Sequence, residues 1–327
     1  LIINSDLDLD SNGAGPNVVA MNGVTIMGSL KAKAGQEITI SGAQFHPNSI
    51  QLNGASLSLI QTLHISTSDR GSPITDAFVT MNHEGIESSE NADTEGNMLL
   101  IGRQMNVNFG SNIFLGPTPL SNNGIQGDIH FSTESQTSWI KNSDGNWIEV
   151  NKTAFISVEA NGLTTPFTWD ISTSTEKIIT ASTLPTLINS TFVLDSIWSP
   201  YVITQNTIIS TTGHLSLHPN TLLYVAQNIG ISISGHVSLE DSRIQGMYGA
   251  PDWLGITLNQ GAIFTMDGGS ISGGIGLFTL SSSSTLELEN THLSRSSNIL
   301  IDATQMSSGV INMNHVILEG ASNSCLS

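Results

Sequence analysis

Five segments of the chain repeat one pattern: apolar, any residue, apolar, four mostly polar residues, apolar. They run from Leu215-Ser216-Leu217 to Leu222, Val237-Ser238-Leu239 to Ile244, Phe264-Thr265-Met266 to Ile271, Leu286-Glu287-Leu288 to Leu293, and Ile311-Asn312-Met313 to Leu318. Their first apolar positions are 22, 27, 22 and 25 residues apart. Side chains alternate faces along a strand. Each segment therefore predicts a short strand with inward apolar residues, a polar corner, and a second strand returning inward. One such coil cannot bury its apolar side alone. Coils stacked about 4.8 Å apart bury a continuous core and pair the backbone, which predicts a parallel β-helix, or β-solenoid. Uneven spacing is absorbed by loops at one corner, and residues 247–253 in the longest gap fit such an excursion.

The N-terminal third echoes the pattern in Ile38-Thr39-Ile40 to Phe45 and Ile50-Gln51-Leu52 to Leu57, although these lie only 12 residues apart. Between residues 66 and 200 the spacing breaks down, while alternating runs such as Met105 to Phe109 persist. The expected organisation is solenoid coils over 1–65, an irregular β region or inserted β-domain over 66–200, and regular coils over 201–327. For 66–200, distorted coils and an inserted domain both fit.

Composition supports an all-β reading. Charged residues make up 11% and hydrophobic ones 38%, unlike a disordered chain. The formal net charge is −18, from 27 acidic and 9 basic residues. The basic residues are scattered, so no patch exists to displace counterions from a phosphate backbone, and nucleic acid is excluded as an expected partner. One cysteine, Cys325, permits no intrachain disulfide. No apolar run reaches membrane-spanning length, and the first residues carry Asp6, Asp8 and Asp10 rather than a basic leader. The chain reads as a mature product or an excerpt of a longer one.

The stretches WLGITL (253–258), GAIFTMDGGSI (261–271), GGIGL (273–277) and STLELENTHL (284–293) resemble the right-handed parallel β-helix repeats of bacterial surface and secreted, adhesin-like proteins. The resemblance covers roughly residues 200–320. It implies the fold and an extracellular or cell-surface setting, but no single activity, because such folds serve adhesins, phage tailspikes and polysaccharide-degrading enzymes. The expected fold is thus all-β: a right-handed parallel β-helix, with an inserted irregular β region.

Aligning the coils places Glu240, Asp267 and Glu289 in one outward column, between His218 and Asn314. Stacked carboxylates repel, so they either recruit a cation such as Ca²⁺ through their hard oxygens or form a solvated acidic stripe. His214 and His236 form a second column, read as a metal pair, a pH-sensitive patch or two exposed histidines. Asp8, Asp10, Asn12 and Gly13 match half a calcium loop. Val19 stands where its closing Glu should be, and the solvent face of a strand is the preferred reading. Glu84, Glu87, Glu90, Asp93 and Glu95 read as a solvated loop. Among the tryptophans, Trp169 alternates as a core residue would. Trp147, after the turn Asp144-Gly145-Asn146, is the residue expected to be exposed for stacking on a sugar.

Polygalacturonase-type motifs, a Gly-x-Ser-x-Gly elbow, a phosphate loop and His-Glu-x-x-His are all missing from the sequence. Asn151-Lys152-Thr153 and Asn189-Ser190-Thr191 are sequons that arise easily by chance. The function expected is an extracellular structural or adhesive rod, without enzymatic activity. Its partners would be other copies of itself or a host surface or glycan, with no required cofactor beyond an optional Ca²⁺. The alternative is a polysaccharide-binding or -degrading β-helix.

Overall fold

Inward apolar columns stack through two runs of parallel coils in this computed structural model, which describes residues 1–10, 16–42, 44–119, 128–247 and 253–327. The C-terminal run has three faces. The first is a ladder from Ser182–Thr183 through Tyr201–Ile203 and Leu222–Val225, continuing into the ends of His236–Gly246 and Ile263–Ser272, then His292–Ser296 and Ile317–Ala321. The second is a 6-stranded parallel sheet from Leu187–Ile188 to Ile301–Gln305. The third begins at Thr191–Leu194 and His214–Leu217, takes the starts of His236–Gly246 and Ile263–Ser272, and ends with Ser284–Glu289 and Gly309–Asn314.

The predicted register holds on the third face. Leu215, Val237, Phe264, Leu286 and Ile311 lie opposite one another in sequence order. The first four are buried, and Ile311 packs partly buried on the same core. The polar stretch becomes a corner through left-handed residues, one in most coils and two, Gly268 and Gly269, in one of them. Asn220, Asp241, Gly268, Asn290 and His315 all have positive φ. Asn, Asp and Gly tolerate that conformation best, which is why polar residues punctuate each corner. At Gly269 a Cβ would run into the backbone of Ser242 in the preceding coil, so the corner leaves no room for a larger residue there.

One position needs correction. Leu223, not Leu222, pairs with Ile244 and is buried, because the corner 218–222 holds one residue more than the corner 240–243 of the next coil. Residues 248–252 of the expected excursion lie outside the described residues.

Three shorter coils form the N-terminal run, with the 3-stranded sheet Leu7–Asp8, Ser29–Lys31 and Ser49–Gln51 as one face. Here the register differs from the expected one: Ile38 pairs with Val19 and Leu57, whereas Ile50 pairs with Leu30 on another face. The two apolar pairs lie less than one coil apart, on different faces, rather than in successive coils on one face.

The strand Ser56–Asp69 carries the fold out of this run. Its first residues pair with Glu37–Ser41, its later ones with Thr175–Thr180, and Asn97–Val107 runs antiparallel along its other edge. A four-stranded antiparallel sheet, in the order Ile86–Asn91, Phe78–His83, Thr153–Ala160, Leu163–Asp170, shares an apolar core with it. A smaller sheet of Ile113–Leu115, Ile129–Ser132, Thr137–Lys141 and Trp147–Glu149 adds Ile129 and Phe131 to the N-terminal core. Between Phe78 and Asp170 the pairing is mostly antiparallel, with Ile113–Leu115 and Ile129–Ser132 as a parallel pair, while Ser182–Thr183, Leu187–Ile188 and Thr191–Leu194 already pair as parallel coils. The acidic stretch expected as a loop instead contains the strand Ile86–Asn91, held by its pairing to Phe78–His83. Trp169 is buried, as its alternation predicts.

Because Phe264 is fully buried and packs edge-on against Phe278 at 4.9 Å, Phe264→Ala should cost about 3–5 kcal/mol, whereas outward Thr265→Ala should change stability by less than about 0.5 kcal/mol. Urea unfolding of the two variants followed by circular dichroism checks this.

Candidate functional site

The third face brings the predicted acidic column together. Leu239, Met266 and Leu288 point into the core, so the next residues, Glu240, Asp267 and Glu289, point out and are exposed. Glu240 lies opposite Asp267, Asp267 opposite Glu289, and Glu289 opposite Asn314. Asp267 and Glu289 share a shallow groove of about 440 Å³ with Thr265, Glu287, Asn312 and Asn314, whereas Glu240 is not part of its lining. Glu287 escaped the alignment-based prediction because it belongs to the neighbouring outward column.

Two amides temper the repulsion: Asn290 Nδ2 donates to Asp267 Oδ1 (3.1 Å), and Asn314 Nδ2 donates to Glu289 Oε1 (3.1 Å). For Ca²⁺ the column would supply carboxylate oxygens from one side only, short of the six to eight ligands such an ion takes. Among the described residues no group of three or more His, Cys, Asp or Glu side chains is placed to hold a metal ion. Within the groove the arrangement offers hydrogen-bond acceptors and paired carboxylates to a ligand lying across the coils.

His214 and His236 pair across neighbouring coils with their rings stacked, centroids 4.4 Å apart and planes 3° from parallel. His214 Nε2 meets Ser238 Oγ at 3.0 Å, and that hydroxyl donates to Ser216 Oγ. His236 Nε2 is buried without a hydrogen-bond partner. Burial, and secondarily the neighbouring His214, hold the His236 pKa below the usual histidine value. The column ends there, because the next coil places Ile263 opposite His236.

Trp147 differs from expectation. The turn before it forms, with Gly145 at positive φ, but the indole is half-buried. It packs edge-on against Phe114 (6.3 Å) and His130 (5.9 Å), while the ammonium of Lys141, its cross-strand partner, lies 5.4 Å from the ring centroid. A cation–π contact already engages the ring, which leaves less of it for a sugar. The Asp8–Gly13 half-loop lies partly outside the described residues. Its described part is the strand Leu7–Asp8, with Lys31 Nζ 3.3 Å from Asp8 and 3.7 Å from Asp10.

No protein-family model matches the chain, and no curated protein or solved structure matches it.

Two measurements test these columns. Folded His236 resists protonation more than an unfolded histidine does, so the unfolded state binds more protons and stability must fall as pH drops below about 6.5. Thermal melts should show this slope, and His236→Gln should flatten it. In the acidic column, Glu289→Gln should raise the melting temperature slightly at low salt and have no effect at 1 M salt, where the Debye length is about 3 Å.

Proposed function

We propose that the chain is an extracellular structural or adhesive protein, a rigid β-helical rod that displays a binding surface or assembles end to end into a fibre. The observation that carries this reading is repetition: parallel coils set their inward side chains in one apolar core running from Ile188 to Ile301, and they line up outward columns such as Glu240, Asp267 and Glu289 along one face. A surface repeated at coil spacing suits contact with an extended partner or with further copies of the same chain. The resemblance of the coils to bacterial surface repeats and the uncharged Ser- and Thr-rich outer positions support the same setting.

A second reading, a polysaccharide-binding or -degrading β-helix, is favoured by the groove that holds Asp267, Glu287 and Glu289 together. The two readings part in experiment. A fibre subunit should form rods in negative-stain micrographs that lengthen with concentration. Monomers at every concentration, together with oligosaccharide release from a glycan panel, would overturn the fibre reading in favour of the enzyme.

A further inference from the structure

A second cleft, of about 620 Å³, opens on the outward face of the sheet that joins Ser56–Asp69, Asn97–Val107 and Thr175–Thr180, beside the hairpin strand Ile86–Asn91. Register determines what faces it. Leu63 and Ile65 are buried in the core, so the alternate residues His64 and Ser66 point outward. His64 lies opposite Leu99 on one side and Glu176 on the other, and Ser66 lies opposite Asn97 and Ile178. Two rows therefore cross the sheet, Glu176–His64–Leu99 and Ile178–Ser66–Asn97, with strands about 4.8 Å apart.

Ser66 Oγ donates to Asn97 Oδ1 at 2.8 Å, tying the centre of one row. Glu90, Asn91 and Asp93 form the rim. Asp93 is fixed by the backbone N–H groups of Asn97 (2.9 Å) and Glu95 (2.8 Å), which hold its carboxyl below the ordinary carboxylate range. The floor is apolar yet open to solvent: Ile178 is 73% and Leu99 44% exposed. Lys177 also borders the cleft, but its ammonium lies 5.3 Å from the Phe167 ring centroid. Three carboxylates thus outnumber the cations around the cleft.

We propose that this cleft binds an oligosaccharide carrying protonated amino groups. A sugar ring presents C–H patches and hydroxyls side by side. Leu99 and Ile178 match the first, while His64, Ser66, Asn91 and Asn97 match the second. An exposed apolar patch ringed by polar groups marks a recognition surface, and the volume falls within the roughly 300–1,000 Å³ typical of ligand sites. Glu90, Asp93 and Glu176 attract ammonium groups through charge-assisted hydrogen bonds and repel uronates or sulfated sugars. The site involves neither the rod ends nor the third-face groove, so it is independent of the function proposed above.

Isothermal titration of the whole chain at low ionic strength, with a glucosamine hexamer, its N-acetylated form, an oligogalacturonate and an oligolysine, tests the assignment. The glucosamine hexamer should bind most tightly. Glu176→Gln should weaken it roughly tenfold, as loss of one charged hydrogen-bond partner does, and Ile178→Ser should weaken it without moving the melting temperature. Trp147→Ala should leave binding unchanged. The proposal falls if no sugar binds, if oligogalacturonate or oligolysine binds as tightly, if both cleft variants bind like the parent, or if Trp147→Ala abolishes binding instead.

Discussion

Parallel pairing of one coil with the next is the constraint on which the rest of this protein depends. A single coil supplies only a few inward side chains and leaves both rows of backbone groups unpaired. Leu215, Val237, Phe264 and Leu286 become a core only because consecutive coils set them above one another. Each such side chain, fully buried, contributes about 1.5–3 kcal/mol, and removing one strips contacts from the coils on either side. The left-handed corner residues serve the same end, since they let the chain turn between faces without losing register.

Regular stacking also dictates the surface. Whatever stands at an outward position in one coil stands beside its equivalent in the next. Glu240, Asp267 and Glu289 are therefore neighbours, and His214 and His236 are forced face to face. Like charges and like rings meet because the core requires it. The chain manages the result locally, through Asn290 and Asn314 beside the carboxylates and Ser238 beside His214.

Where the repetition stops, the architecture gains its clefts. Ser56–Asp69 keeps a single alternation along its 14 residues, yet Leu57 and Leu59 belong to the N-terminal core while Leu63 and Ile65 belong to the core of the inserted sheet. One strand thus couples two packing units. Its outward side beyond the coils, at His64 and Ser66, faces neighbours that no coil supplies, and there the larger cleft lies. The smaller groove lies on regular coils, whereas the larger cleft lies where parallel pairing gives way to antiparallel pairing.

The sequence by itself determined the repeat, the third-face register and the outward acidic and histidine columns. Each follows from the period-two alternation of a strand, which is local, and from a coil length that recurs. It failed where equivalence depended on a single extra corner residue, as at Leu222 and Leu223. It failed again where two apolar pairs lay less than one coil apart on different faces, as at Ile38 and Ile50. Only the tertiary structure could pair the acidic stretch Ile86–Asn91 as a strand, fold Trp147 against Phe114 and His130, or gather His64, Glu90, Asn97 and Glu176 around one cleft. The first two rest on hairpins whose polar or acidic strands carry little apolar alternation, whereas His64, Asn97 and Glu176 meet through pairings whose partners are far apart in the chain. Alternation tells each side chain which face it takes, but not which distant strand will lie beside it.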